Sequence, residues 1–250
     1  MSAGFQCKKF YVAHDQCAMK VGTDGLLLGA FAPLPPAGSA ILDIGAGSGL
    51  ISLMLAQRSN GANVIDAVEL DSAAASQAAA NVAASPWPNA VQLIKGDILT
   101  YHSDKRYRLI VSNPPFFQQA LPAQDARRHQ ARHTDSLPFA ALLQKAATLI
   151  SAEGVLALIL PPTAAAEVML LATGTGWVLQ QQCAVYSKPG KQQRVLLCLN
   201  RQQDTLPRFS ELLIHDATGA YSAAYQQLLA AFYLKFPEPE EDISHAQQPL

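Results

Sequence analysis

Short runs rich in valine, isoleucine and leucine recur along the chain: SAILDI (39–44), NVIDAVEL (63–70), AVQLIK (90–95), RLIVS (108–112), GVLALIL (154–160), WVLQQQCAVY (177–186) and RVLLCL (194–199). Most lack strict alternation, the pattern of strands covered on both faces. Between them, GLISLMLAQRS, SAAASQAAANVAA, FAALLQKAATLI and TAAAEVMLLAT suit helices. A strand followed by a helix, repeated, predicts a doubly wound α/β sheet.

The last two strands break that rhythm. Only SKPGKQQ joins Tyr186 to Arg194, far too short for a parallel crossover, so these strands form an antiparallel pair. The expected sheet has seven strands, mostly parallel, and ends in an antiparallel hairpin, an ending that a plain dinucleotide-binding domain lacks. YSAAYQQLLAAFYLKF reads as a closing helix whose Leu228, Leu229, Phe232 and Phe236 repeat at helical spacing and belong to the core. The tail PEPEEDISHAQQPL, with four acids and three prolines, is expected to be disordered from about residue 238. The chain thus divides into one domain over 1–237, whose first 38 residues cover the ligand site, and an acidic tail over 238–250.

Composition narrows this further. With 250 residues, half of them hydrophobic, the chain buries one substantial core. A net charge of -1 excludes a uniformly basic surface, so any nucleic-acid contact rests on local patches. No apolar run approaches the ~20 residues of a membrane span and the N-terminus lacks a signal-like stretch, which predicts a cytoplasmic protein. The four cysteines show no CxxC spacing and read as reduced structural thiols. His129 and His133 stand four apart, yet no carboxylate or cysteine completes a ligand set, so no metal is expected.

LDIGAGSGL (42–50) follows the first strand and opens a helix, where a nucleotide-type ligand sits at the carboxyl edge of such a sheet. Its glycines, Gly45, Gly47 and Gly49, make GxGxG and not the GxGxxG of dinucleotide folds, and Asp43 stands two residues ahead. An acid there repels a pyrophosphate but suits a ligand carrying an ammonium and a sulfonium. Glu69 ends the second strand, placed to accept from two ribose hydroxyls, and Asp97 ends the third, placed to accept from an adenine amino group. Each alone also reads as a loop cap; three at successive strand ends are harder to dismiss. Upstream, Thr23 or Asp24 in GTDG is expected to cap a short helix over 26–31, whose N-terminus could receive the carboxylate of an amino-acid tail.

The fourth strand delivers Asn113 to the same edge, followed by Pro114, Pro115, Phe116 and Phe117. An exocyclic aromatic amine is a poor nucleophile because its lone pair is delocalised into the ring. Acceptors aimed at its protons, the Asn113 amide oxygen and the Pro114 carbonyl, would favour a tetrahedral nitrogen as charge develops. The prolines preset that geometry, and Phe116 offers a plate for a base to stack on.

On these residues the chain resembles the class I S-adenosylmethionine methyltransferases that modify planar amino nitrogens and carry an [NDS]-P-P-[YFW] motif. More narrowly, KVGTDGLLLGAFA, LDIGAGSGLISLMLAQ, SNPPFF and AYQQLLAAFYLKF, in this order, are similar to the bacterial YfiC-type enzymes. The resemblance implies a Rossmann-like class I methyltransferase fold, S-adenosylmethionine as cofactor, and methylation of N6 of the adenine 3′ of the anticodon in a valine tRNA. It also implies cofactor roles for the glycine loop, Asp43, Glu69 and Asp97, and base-binding roles for Asn113, Pro114 and Phe116; from the residues themselves, Thr23, Asp24 and Asn113 join the cofactor set and Pro115 the base set.

A tRNA partner needs phosphate contacts. Arg127, Arg128 and Arg132 follow the Asn113 segment, Lys188, Lys191 and Arg194 lie in the terminal hairpin, and Lys8, Lys9 and Lys20 form a third basic group; together they are expected to converge on the strand-end face. No obligate protein partner is implied. Two rival acceptors share the Asn-Pro-Pro-aromatic device: a protein glutamine amide and a DNA adenine. A non-catalytic RNA-binding module is a third alternative.

Overall fold

The computed structural model describes residues 3–115 and 137–237. An eight-stranded sheet is built from β3 (Ala40–Ile44), β4 (Val64–Glu69), β5 (Val91–Lys95), β6 (Tyr107–Ser112), β7 (Ile150–Leu160), β8 (Val178–Lys188), β9 (Lys191–Asn200) and β10 (Arg208–Leu213). Across the sheet they run β5-β4-β3-β6-β7-β9-β8-β10. The neighbours from β5 to β7 are parallel, and β9 is antiparallel to both β7 and β8. The seven strands read from the sequence are all present, and β8 and β9 form the expected antiparallel hairpin.

The eighth strand, β10, corrects the count. It pairs parallel to β8, from Arg208 against Gln181 to Leu213 against Tyr186. Only Leu212 in it is buried, so it carries no apolar run for a periodicity argument to find. A separate antiparallel pair, β1 (Gly4–Gln6) and β2 (Tyr11–Ala13), precedes the main sheet.

Helices cover both faces: α1 (Thr23–Phe31), α2 (Leu50–Arg58), α3 (Ser72–Ala83), α4 (Phe139–Leu149), α5 (Pro162–Gly174) and α6 (Ala223–Leu229). Successive strand residues point to opposite faces, and the burial obeys this. On β7, Ala157 and Ile159 join the core built on α1 and α2, whereas Leu156, Leu158 and Leu160 join the core built on α4 and α5, all fully buried. The continuous apolar run 154–160 is therefore a strand with no wet face. At α6, Ser222 Oγ accepts from the Tyr225 N–H at 3.1 Å and caps the helix. The helix stops at Leu229; Phe232 and Phe236 reach the core from the turns beyond it, so the closing element is shorter than its apolar repeat predicts.

The chain from β3 goes outward through β4 and β5, then returns to place β6 on the other side of β3. That reversal leaves a crevice beyond the carboxyl ends of β3 and β6, the place where open α/β sheets bind ligands.

Candidate active site

Strand register sets the site. Ile44 pairs with Val68 on one side and Ser112 on the other, so Gly45, Glu69 and Asn113 follow at one level across three adjacent strands, about 5 Å apart strand to strand. Their ends open on a cavity of about 600 Å³ lined by Gly45, Gly47, Glu69, Asp97, Asn113, Pro114 and Pro115. Its wall also includes Cys17, Ala18 and Met19, from the segment between β2 and α1.

The glycine loop turns sharply. Gly45 and Gly47 sit at φ 74° and 55°, and a Cβ built at either would meet nothing within 4 Å, so both expose bare backbone. The Glu69 carboxylate is held by two backbone amides: Oε2 accepts from Gly47 N–H at 2.7 Å and Oε1 from Asp71 N–H at 2.8 Å. Asp71 in turn caps α3, its Oδ1 accepting from Ala74 N–H at 2.8 Å. Asp97 steadies its own turn by accepting from Leu99 N–H at 2.9 Å.

Asn113 differs from these acids. Its Oδ1 is buried and has no hydrogen-bond partner. Ser112, just before it, is anchored by donating from Oγ to the Ile44 carbonyl at 2.8 Å. Pro114 is buried and Pro115 is exposed at the cavity. An unpaired buried acceptor costs about 1–3 kcal/mol, which a bound donor would recover.

Asp43 lies beneath the loop, fully buried, and does not line the cavity. Its Oδ2 accepts from Ser52 Oγ at 2.7 Å, and its Oδ1 has no partner. Burial pushes its pKa up to about 6, and the charge of Glu69 adds to the rise. Any influence on a bound cation therefore acts through the loop. Gly49 likewise does not line the cavity; it starts α2 at φ 80° with its α-carbon side against Ala78.

Three sequence expectations change. Neither Thr23 nor Asp24 caps α1, because the helix starts at Thr23 with Gly22 at the cap position and no side-chain bond there. Neither lines the cavity; Asp24 Oδ2 accepts from Arg194 Nε at 2.7 Å, an ion pair joining α1 to β9. Arg194 is thus occupied structurally and is not a spare phosphate contact. Lys8 and Lys9 sit in the β1–β2 turn, where Lys8 N–H donates to the Phe232 carbonyl and Phe10 packs edge-on against Trp87. That turn meets the start of β5 and the end of α2, at the amino edge of the sheet, so these two lysines do not join the strand-end face. Lys20 is exposed beside the cavity wall at Met19. Lys188 and Lys191 are exposed at the hairpin tip, which projects past the carboxyl edge because Val195 of β9 pairs with Leu160 at the end of β7. Phe116, Phe117, Arg127, Arg128, Arg132, His129, His133 and the acidic tail lie outside the described residues. Among the described residues, no group of three or more His, Cys, Asp or Glu could hold a metal, and no helix is long and apolar enough to cross a membrane.

A parallel sheet with this strand order and an antiparallel ending, opening on a glycine loop, two acids and an Asn-Pro-Pro strand end, defines a class I methyltransferase. Solved structures agree at the level of fold. A predicted O-methyltransferase from Agrobacterium tumefaciens superposes with a TM-score of 0.64 at 18% identity, covering 84% of this chain and 96% of that one. A glycopeptide N-methyltransferase complexed with S-adenosylmethionine gives 0.51 at 13% identity, covering 67% and 89%. The methyltransferase small domain family matches residues 20–173. Curated relatives called tRNA1(Val) (adenine(37)-N6)-methyltransferase are 45% identical over 236 residues in Photorhabdus laumondii (93% of this chain, 96% of the relative) and 47% identical over 237 residues in Aeromonas salmonicida (94% and 98%). The chain belongs to the methyltransferase small domain family and, within it, to the tRNA1(Val) (adenine(37)-N6)-methyltransferases.

Two features escaped the sequence reading. Cys17, Ala18 and Met19 form a cavity wall, and Gln77 and Asn81 of α3 hold the segment that carries it. The one available signal was a pair of amides four residues apart in an otherwise alanine-rich helix.

Proposed function

We propose that the chain transfers a methyl group from S-adenosylmethionine to N6 of the adenine 3′ of the anticodon in a valine tRNA, and so works where cytoplasmic tRNA is found. The observation that carries this reading is the unpaired Asn113 Oδ1, buried at the cavity one strand from the glycine loop. The residues fit the cofactor: bare backbone at Gly45 and Gly47, a Glu69 carboxylate oriented by two amides, and a cavity of nucleoside-plus-amino-acid size. Glu69 would receive the ribose hydroxyls and Asp97 the adenine amino group.

When bound, the cofactor supplies its methyl as an electrophile on a positively charged sulfur. Asn113 Oδ1 accepts from the target amine and, with the Pro114 carbonyl, draws the nitrogen toward tetrahedral geometry, freeing its lone pair. Transfer of that methyl would make the C–N bond at the expense of the C–S bond, and the surplus proton on nitrogen would leave to solvent. Asn113 Oδ1 is already unpaired and buried before reaction, so in this reading it stabilises developing positive charge without reorganising. Pro114 and Pro115 restrict the strand end that presents them. Phe116 supplies the stacking surface in this reading, and Lys20, Lys188, Lys191, Arg127, Arg128 and Arg132 contact phosphates.

The test is acceptor class. Incubation with methyl-labelled S-adenosylmethionine and, separately, bulk tRNA, duplex DNA and protein extract should label tRNA alone. Label confined to protein would assign the Asn-Pro-Pro device to a glutamine amide, and label in duplex DNA would assign it to DNA; either result overturns the proposal.

A further inference from the structure

Gln77 and Asn81 lie four residues apart on α3 and so share one face. They are 6% and 5% exposed on a helix whose other buried residues include Ala74, Ala75 and Ala78. Burying two amides is unfavourable unless their hydrogen bonds are made, and here all but one are made to residues 13–17. Asn81 Oδ1 accepts from Ala13 N–H at 3.0 Å, and its two amide hydrogens go to the Ala13 carbonyl at 2.8 Å and the Ser48 carbonyl at 2.9 Å. Gln77 Oε1 accepts from Gln16 N–H at 3.0 Å and Cys17 Sγ at 3.2 Å, while its Nε2 donates to Asp15 Oδ1 at 2.6 Å. The loop is closed at its far end by His14, whose Nδ1 accepts from Val21 N–H at 3.1 Å.

These bonds join two walls of the cavity. Ser48 belongs to the glycine loop, and Cys17 is the first of three successive residues, with Ala18 and Met19, that line the cavity. The same helix begins at the cavity floor, where Ser72 and Ala74 line it beside Glu69. Small alanines on α3 let the segment approach closely enough for the amides to reach its backbone.

We infer that Gln77 and Asn81 are positioning residues for the cofactor: they clamp residues 13–17 to α3 and to the glycine loop, and so hold the Cys17–Met19 wall closed over the ligand. The inference rests on the reading of the cavity as the S-adenosylmethionine site. Neither side chain touches the reacting atoms, so cofactor affinity responds and the chemical step does not.

The experiment uses the full chain and titrates S-adenosylhomocysteine by calorimetry, alongside kcat at saturating S-adenosylmethionine. Gln77→Ala and Asn81→Ala should each raise Kd about tenfold, or ~1.4 kcal/mol, and leave kcat within about twofold. Gln57→Ala is the control: it removes an equally buried amide that donates to the Ala231 carbonyl at 2.8 Å, away from the cavity, and should lower the melting temperature without moving Kd. A swap keeps the volume buried. Gln77→Glu sets a carboxylate against Asp15 and should raise Kd, and adding Asp15→Asn restores a donor across the contact and should return Kd to within about twofold of the parent. Unchanged Kd in both alanine variants, an equal rise in Gln57→Ala, or no recovery in the swap would overturn the inference. If the parent chain itself fails to bind S-adenosylhomocysteine, the cofactor reading falls first and the clamp with it.

Discussion

Glu69 Oε2 accepts a hydrogen bond from the Gly47 backbone N–H at 2.7 Å, which ties the end of β4 to the turn that follows β3. One carboxylate thus both shapes the glycine loop and stands at the cavity with its orientation set. Glu69→Ala loses the tie and the hydroxyl acceptor together, at about 1.5–3 kcal/mol for a hydrogen bond to a charged group. Kd for S-adenosylhomocysteine should rise about ten- to a hundredfold in a calorimetric titration, whereas a rise under threefold would remove Glu69 from the ligand.

Asn113 separates chemistry from cofactor binding. Asn113→Ala should lower kcat by about 10²–10³, the range for losing one preorganised polar group, with cofactor Kd within threefold of the parent. Because the parent buries Oδ1 unpaired, the ligand-free variant should melt no lower than the parent. Asn113→Asp, which keeps an acceptor there, should retain more activity than the alanine variant. Loss of cofactor affinity in parallel with kcat would place this side chain in the wrong half of the site.

Asp43 makes stability depend on pH in an unusual direction. Its folded pKa of about 6 lies above the ordinary 3.8, so the folded state favours the protonated form. That contribution is present below about pH 4 and is lost as pH rises through about 6. Asp43→Asn removes the titration while keeping an acceptor for Ser52. The melting temperature of the variant minus that of the parent should increase from pH 4 to pH 7 and then level off. A difference independent of pH would show that Asp43 titrates normally.

The hairpin tip and Arg194 have distinct roles despite their proximity in sequence. Lys188→Ala with Lys191→Ala should reduce the slope of log affinity for tRNA against log salt by about 1.4, at ~0.7 per phosphate contact on single-stranded nucleic acid. Arg194→Ala should leave the slope in place and cost at most about 1 kcal/mol of stability, since its pair with Asp24 is a quarter exposed on each side. A slope unaffected by the double substitution would exclude the tip from the RNA contact.

The parts of the fold that sequence periodicity reveals are those whose burial is uniform. β7 is apolar on both faces and announces itself, and Gly45 and Gly47 mark a turn that only left-handed backbone can make. β10 does not, because an exposed edge strand buries only Leu212 and its pairing with β8 is a backbone property. Charge was the weakest guide. Arg194 and Lys191 look alike in the sequence, and only the fold brings Asp24 of α1 to one and not to the other. Lys8 and Lys9 belong to the N-terminal segment expected to cover the ligand site, yet the β1–β2 turn carries them to the opposite edge of the sheet. The amides of Gln77 and Asn81 were invisible for a related reason: most of their partners lie in residues 13–17, far away along the chain. The Asn-Pro-Pro strand end was readable as a feature of the cavity because its geometry is local, an acceptor followed by two rigid residues.

The central claim is that the Asn113 acceptor serves the N6 amine of one adenine. The most direct measurement incubates the protein with S-adenosylmethionine and an unmodified valine tRNA transcript, then maps the product by nuclease digestion and mass spectrometry. A single added methyl is expected, on N6 of the adenine 3′ of the anticodon, and none when that adenine is replaced by guanine. Methylation at a ring nitrogen, or at an undiminished level in the guanine-substituted transcript, would contradict it.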